Sequence, residues 1–391
     1  MRIPLSAPDV NEEDIQAVSD VLRTSRLSLG PKLEEFERAI AGYVGASDAV
    51  AVNSGTSALH LSLRALGIGE GDEVIVPSFA FIAVANAVRH ERAIPIFVDI
   101  ESETLNLDPG RIEPAITLQT KAIIVVHTFG CPASLEAILE IAARHDLRVI
   151  EDACEAVGAE YNGRRVGTFG DAAIFSFYPN KQITTGEGGV VVTRNPEISQ
   201  FVRKCRNQGR DDSESWFQHS ELGYNYRISD INCALGVEQL KRIESILMRR
   251  EAIARQYSHT LGRRSEFNLP VLNISCGRIS WFVYVIRLGI QFTQMHRDWI
   301  VREMHSRGIG VGRYFAPIHL QPIYKGWATP GTLPVTEQIA SHAIALPFFN
   351  RIHNDQIEEV CSTLTELSDF ASNMEKKNVN RHKLRTQSAG G

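Results

Sequence analysis

Between residues 49 and 193, short apolar runs alternate with amphipathic segments at close spacing. The runs are AVAV (49–52), EVIVPSF (73–79), AIPIFVDI (93–100), KAIIVVHTFG (121–130), LRVIEDAC (147–154), AAIFSF (172–177) and GVVVT (189–193). Between them, NSGTSALHLSLRALGIG (53–69), FIAVANAV (81–88), TLNLDPGRIEPAI (104–116) and SLEAILEIAARHD (134–146) read as helical or as leading into a helix. Runs too short for helices and apolar on both faces are buried strands, and a helix between two of them returns the chain in the same direction. The pattern predicts an α/β fold: a mostly parallel sheet flanked by helices on both faces.

The rest of the chain is organised around that sheet. NEEDIQAVSDVLR (11–23) reads as a helix capped by Asn11, and LEEFERAIAGYVG (33–45) as a second helix closed by Gly45. A chain of 391 residues exceeds one ordinary core and implies two domains. A long helical region over 228–261 is suited to join them. From about 265 the pattern becomes α+β, with a strand at 281–288, a helix at 296–308, strand and loop over 309–324, a helix and apolar run over 336–349, and a last helix at 354–370. The expected division is a large domain over 1–245, a small C-terminal domain over 246–371, and a disordered basic tail over 372–391, which has few apolar residues to bury.

Charge and cysteine usage exclude several classes. A net charge of −5 gives no electrostatic case for nucleic acid or an anionic membrane. No apolar run reaches spanning length, and MRIPLSAPDVNEED lacks the apolar core of a signal peptide. Six scattered cysteines without a CxxC pair argue against a metal site or disulfide framework and fit a reducing cytoplasm.

Polar candidates gather at predicted strand ends. Lys181 follows the apolar run AAIFSF and the breakers Pro179 and Asn180. Desolvation there disfavours the charged form and suits an imine-forming amine. Gly186, Gly188 and Gly189 after it allow close backbone approach or positive φ. Gly55, Thr56 and Ser57 open a helix after a strand, an arrangement suited to an anion, most often phosphate. Glu151 and Asp152 end an apolar strand, so at least one is buried or in a cleft and needs a partner. Phe81 lies just past a strand end, and His127 is better read as packed than as a base. Each has a plain alternative: an exposed lysine, an ordinary helix cap, a core aromatic, an ion pair with Arg164 or Arg165. Positions 54–57, 81, 127, 152, 176 and 181 all follow strand ends, which is what a crevice at one sheet edge requires.

With these residues in view, the chain resembles the DegT/DnrJ/EryC1/StrS family of sugar aminotransferases dependent on pyridoxal phosphate (PLP). The likeness runs from residue 1 to about 370. It rests on NSGTSALHLSL, VPSFAFIAVANAV, VHTFG, VIEDACEAVGAEYNGRRVGTFGDAAIFSFYPNKQITTGEGGVVVT, LGYNYRISDINCALG and PIHLQPIY, in the family's order and spacing. The resemblance implies a fold type I PLP-dependent transferase and a homodimer with active sites between subunits. It implies that Lys181 holds the cofactor as an internal aldimine and moves the proton, while Asp152 pairs with the ring nitrogen. It places Ser176, Gly55 and Thr56 at the phosphate, Asn225 at the phosphate of the neighbouring subunit's cofactor, Phe81 against the ring and Glu155 at the ring's edge. The family often has glutamine or histidine where this chain has Glu155, and threonine where it has Ala80. Substrate choice is expected to lie in the loops around 26–32, 210–222 and 313–326, with Arg227, Arg313, Tyr314 and His319, and also Arg210 and Tyr224, as candidates. The implied reaction moves an amino group from glutamate or glutamine to a nucleotide-linked keto sugar, in making amino sugars for surface polysaccharide or secondary metabolites. Competing readings are a transaminase of the same fold acting on a cyclitol or aromatic precursor, and a non-catalytic relative. Lys181, Asp152 and Ser176 together weigh against the last.

Overall fold

A computed structural model describes residues 1–211, 218–328 and 331–387. The first part of the chain forms strands β1 (Asp48–Val52), β2 (Glu73–Pro77), β3 (Ile94–Val98), β4 (Thr120–Val126) and β5 (Arg148–Asp152). Two short strands, β6 (Glu160–Tyr161) and β7 (Arg164–Arg165), precede β8 (Ala172–Ser176) and β9 (Gly189–Thr193). Seven of these make one sheet in the order β1-β9-β8-β5-β4-β2-β3. The pairs β8–β5, β5–β4, β4–β2 and β2–β3 are parallel, and only β9 runs against its neighbours. The expected mostly parallel sheet is therefore present.

Alternation of side chains across the sheet builds the first core in two layers, one on each face. On β4, Ile123 and Val125 face a layer containing Phe36, Ile40 and Val237, while Ala122, Ile124 and Val126 face one containing Leu59, Leu61 and Val88. Both faces are covered by helices, so the strands read as continuous apolar runs. At the first helix, Asn11 Oδ1 accepts the Asp14 N–H at 3.0 Å and Asp14 Oδ2 accepts the Asn11 N–H at 2.9 Å, a reciprocal cap.

The second core surrounds a three-stranded antiparallel sheet of β10 (Phe267–Asn268), β12 (Tyr284–Leu288) and β13 (Ala343–Leu346), while the intervening β11 (Gly277–Arg278) pairs back onto β6. Helix Ile243–Leu261 passes from one core to the other. Its Ile243, Ile246 and Leu247 lie in the first, and its Ile253, Ala254, Tyr257 and Leu261 in the second. We propose that the domain boundary falls inside this helix. Ile3 belongs to the second core and bridges to Ile309, so the first residues of the chain pack with its C-terminal part rather than with the sheet.

Three local expectations are corrected. Residues 104–116 form two 3-10 turns, Pro109–Arg111 and Glu113–Ala115, and no α-helix, because Pro109 and Pro114 remove the N–H groups a longer helix needs. Segment 309–324 makes only isolated bridges, Ile3 to Ile309 and Gly312 to Ala345, with short 3-10 turns. The final helix runs from Asn354 to Gln387, so the tail expected to be disordered is helical to that point. Its Glu, Lys, Arg, Leu and Gln residues are good helix formers, and extending a formed helix needs no new nucleus. Among the described residues, no helix is long and apolar enough to cross a membrane.

Candidate active site

Strand ends β1, β4, β5 and β8 point to the same edge of the sheet. Beyond β1, the Ser54 hydroxyl accepts the Ser57 N–H at 3.1 Å and starts the helix Gly55–Ala65. β5 ends at Asp152, β8 at Ser176 and β4 at Val126. With Gly55, Thr56, Phe81 and Lys181, these residues line a cavity of about 410 Å³. Phe81 is largely exposed at its rim.

Close packing makes glycine necessary in two places. A Cβ on Gly55 would lie 2.9 Å from both Cys154 Sγ and Ser176 Cβ, and 3.3 Å from Ser176 Oγ. A Cβ on Gly189 would lie 2.3 Å from the Ser54 carbonyl oxygen. Strand β9 thus abuts the helix start, and Gly55 and Thr56, which carry the first two N–H groups of that helix, line the cavity with Ser176. Those groups have no carbonyl of their own helix to bond.

Lys181 sits in the turn after β8, its N–H bonded to the Tyr178 carbonyl at 2.9 Å. Its Nζ lies 3.6 Å from Glu155 Oε1 and 4.1 Å from the centre of the Phe282 ring. The second oxygen of Glu155 accepts the Phe129 N–H at 2.9 Å. Burial pushes the Glu155 carboxyl up, against the opposing pull of the Lys181 charge and the Phe129 N–H. Asp152 Oδ1 accepts the Cys154 N–H at 3.0 Å. Burial, reinforced by the Asp152 charge, drives the Cys154 thiol well above its usual value, so the sulfur is a packing group.

The pair at the end of β5 divides its duties. Asp152 faces the cavity, while Glu151 points the other way and is fully buried. Glu151 takes hydrogen bonds from His127 Nε2 at 3.1 Å and from the N–H groups of Gly167, Phe169 and Gly170 at 2.8, 2.7 and 2.9 Å. Burial alone would raise its carboxyl; these donors outweigh burial and hold it below the ordinary range. Neither Arg164 nor Arg165 is its partner. Arg164 reaches the Thr168 carbonyl, and Arg165 reaches Glu244 and the Tyr43 carbonyl. His127 also accepts the Ala133 N–H at 3.1 Å, which makes it the packed histidine the sequence indicates.

Of the substrate candidates, the structure brings only Tyr314 to the cavity. Burial raises its phenol, and the Glu155 charge adds to this. His319 is buried, bonded to Ser78 Oγ at 2.6 Å and Glu337 at 3.2 Å, and lines no part of the cavity. Arg313 pairs with Asp298 at 3.3 Å, and Arg227 bonds Asn207 Oδ1 at 3.0 Å, both outside it. Arg210 bridges to His219, and Tyr224 stacks on Tyr226 with ring centres 4.8 Å apart. Asn225, between these tyrosines, is exposed and does not line the cavity of its own chain. Residues 212–217 of the loop 210–222 lie outside the described residues.

Sequence reasoning missed Asn180, Tyr178, Glu187, Phe282 and Phe315, all of which line the cavity. The first three flank Lys181 and were within reach of a local reading. Phe282 and Phe315 come from the C-terminal part of the chain, in an apolar cluster shared with Phe79 and Phe129, and no local signal marks them. Asn180 Oδ1 is buried without a hydrogen-bond partner.

The donor set fits PLP: helix-start N–H groups and a serine for a phosphate, a carboxylate for a ring nitrogen, and an amine for an aldehyde. A model of the DegT/DnrJ/EryC1/StrS aminotransferase family matches residues 8–365. The chain belongs to this family. It is 39% identical to the GDP-perosamine synthase of Caulobacter vibrioides over 369 residues, 94% of this chain and 98% of that protein. Among solved structures, the PLP form of Spr1654 from Streptococcus pneumoniae superposes with a TM-score of 0.90 at 28% identity, covering 95% of this chain and all of that one. DesV of S. venezuelae, solved with a ketimine intermediate, superposes with a TM-score of 0.87 at 37% identity, covering 94% and 98%. This member of the family is a PLP-dependent sugar aminotransferase with the fold type I architecture.

Proposed function

We propose that the chain transfers an amino group from glutamate or glutamine to a keto sugar carried on a nucleotide, with Lys181 as the cofactor lysine and the proton carrier. The meeting of Lys181, Asp152 and the start of helix Gly55–Ala65 in one cavity carries this reading. Bound PLP supplies a sink for the electron pair left when a proton leaves the amine-bearing carbon. Asp152 keeps the ring nitrogen protonated through its negative charge. Gly55 and Thr56, through their N–H groups, and Ser176, through its hydroxyl, hold the phosphate. Phe81 covers the ring from the rim. Lys181 serves as base and then acid at the reacting carbon, a role that needs a neutral amine in reach of it. Phe282, Tyr314 and Phe315 narrow the cavity from the second domain and exclude water from that proton.

We further propose a homodimer in which the exposed Asn225 completes the partner's phosphate site. The six cysteines are all unpaired, which supports a reducing, cytoplasmic setting.

Loading the protein with PLP and recording its visible spectrum tests the lysine. A yellow absorption band present in wild type and absent in Lys181→Ala is expected. A band that survives the substitution overturns the assignment. Screening nucleotide-linked keto sugars with glutamate then tests the substrate class, and turnover confined to free cyclitols would replace it.

A further inference from the structure

We propose that Glu155 is a positioning residue for Lys181: its buried carboxylate fixes the lysine nitrogen in place and keeps that nitrogen protonated while it is joined to the cofactor. This rests on Lys181 being the cofactor lysine.

The geometry over-determines the pair. Glu155 Oε2 is held by the Phe129 N–H at 2.9 Å, which leaves Oε1 facing Nζ at 3.6 Å. The two side chains are 8% and 13% exposed, so neither charge is screened by bulk water. Behind them, Gln182 Nε2 donates to the Glu155 carbonyl at 2.6 Å. The residue after the lysine is thereby locked to the backbone of the residue bearing the carboxylate. On the far side, the Phe282 ring confines Nζ and favours a cation there. The other titratable groups around the pair are Asp152, Cys154, Tyr178 and Glu187 on the large domain and Tyr314 on the small one.

A buried carboxylate is expensive to leave unpaired, so its retention at this depth needs a positive partner. Lys181 is the only cation lining the cavity among the described residues. Burial tends to discharge Glu155, so its hold on the lysine is full only above the pH at which the carboxyl ionises and disappears below it. Above that pH, the anion opposes loss of a proton from the nitrogen. Removing the anion while keeping the side chain's shape therefore lowers the pH at which that proton leaves.

The test is a pH titration of the visible band in PLP-loaded wild type, Glu155→Gln and Lys181→Ala. Glutamine retains an oxygen for the Phe129 N–H and loses only the charge. In Glu155→Gln the midpoint of band loss is expected to fall by about one pH unit or more, as for an opposite charge removed from within this distance. An unchanged midpoint overturns the role of Glu155 while leaving Lys181 in place. Absence of a lysine-dependent band in wild type overturns the underlying site, and this proposal with it. Should Glu155→Gln not fold, Glu155→Asp keeps the charge but withdraws it by one methylene, and its midpoint must lie below that of wild type. A midpoint equal to or above wild type again overturns the proposal.

Discussion

Gln182 donates one amide nitrogen to the carbonyl of Glu155 at 2.6 Å, tying the turn that carries the lysine to the residue that faces it. The same nitrogen lies 3.0 Å from both the carbonyl and the hydroxyl of Ser280. One buried side chain thus joins the end of β8, the loop after β5 and the approach to β12. Gln182→Ala strips the partner from buried carbonyls, and is expected to destabilise the protein by about 1–3 kcal/mol in urea unfolding. It is also expected to weaken PLP binding, because Lys181 loses its neighbour's anchor. A variant as stable as wild type would mean that water replaces the clamp.

Gly55→Ala puts a methyl group 2.9 Å from Cys154 Sγ and from Ser176 Cβ, closer than real Cβ contacts allow. The helix start or the end of β8 must then move. Overpacking of this kind costs about 1–3 kcal/mol, and the shift misplaces the phosphate donors. PLP affinity measured by fluorescence quenching should fall by roughly tenfold or more, since 1.4 kcal/mol is a factor of ten. Unchanged affinity would remove the phosphate from this helix.

Asp152→Asn keeps an acceptor for the Cys154 N–H while losing the charge. The fold should persist by circular dichroism, and turnover should drop by roughly 10²-fold or more, the lower range for a positioned group acting on a proton. Turnover close to wild type would show that the ring nitrogen is held elsewhere.

Glu151→Ala leaves His127 and three N–H groups without their acceptor. Breaking a buried pair in this way costs about 3–5 kcal/mol. Because the folded carboxyl is held below its ordinary range, the stabilisation is complete above about pH 4.3 and lost as pH falls through the lower folded value. Wild type should lose stability toward the variant only in that acid window. Equal stability at neutral pH, read from denaturant midpoints, would contradict this.

Asn225→Ala and Lys181→Ala should each be inactive as homodimers. In a mixed dimer, the intact Lys181 of one subunit meets the intact Asn225 of the other. Mixing the two inactive proteins should therefore restore activity that neither has alone. No recovery after subunit exchange would place Asn225 outside the site.

The large sheet and the position of the lysine were legible in the sequence, because they depend on local periodicity and on breakers. Apolar runs ending at Val52, Val126, Asp152 and Ser176 declare both the strands and the edge where the site forms. Asn11 and Gly45 mark helix ends through bonds and backbone angles within a few residues. The same local order, joined to the family's motifs, singled out Lys181, Asp152 and Gly55, which the fold brings to one cavity. Local order alone left open which of two adjacent acids faces the cavity, because one step along a strand reverses the face; the family's motifs pointed to Asp152, and the bond of His127 to Glu151 turns the other acid away. Tyr314, Phe282 and Phe315 reach the site only through an apolar cluster that joins them to Phe79 and Phe129, and His319 misses it because Ser78 and Glu337 hold it inside. Those contacts join residues far apart in the chain, so no local period or spacing carries them, and the tertiary structure alone decides them.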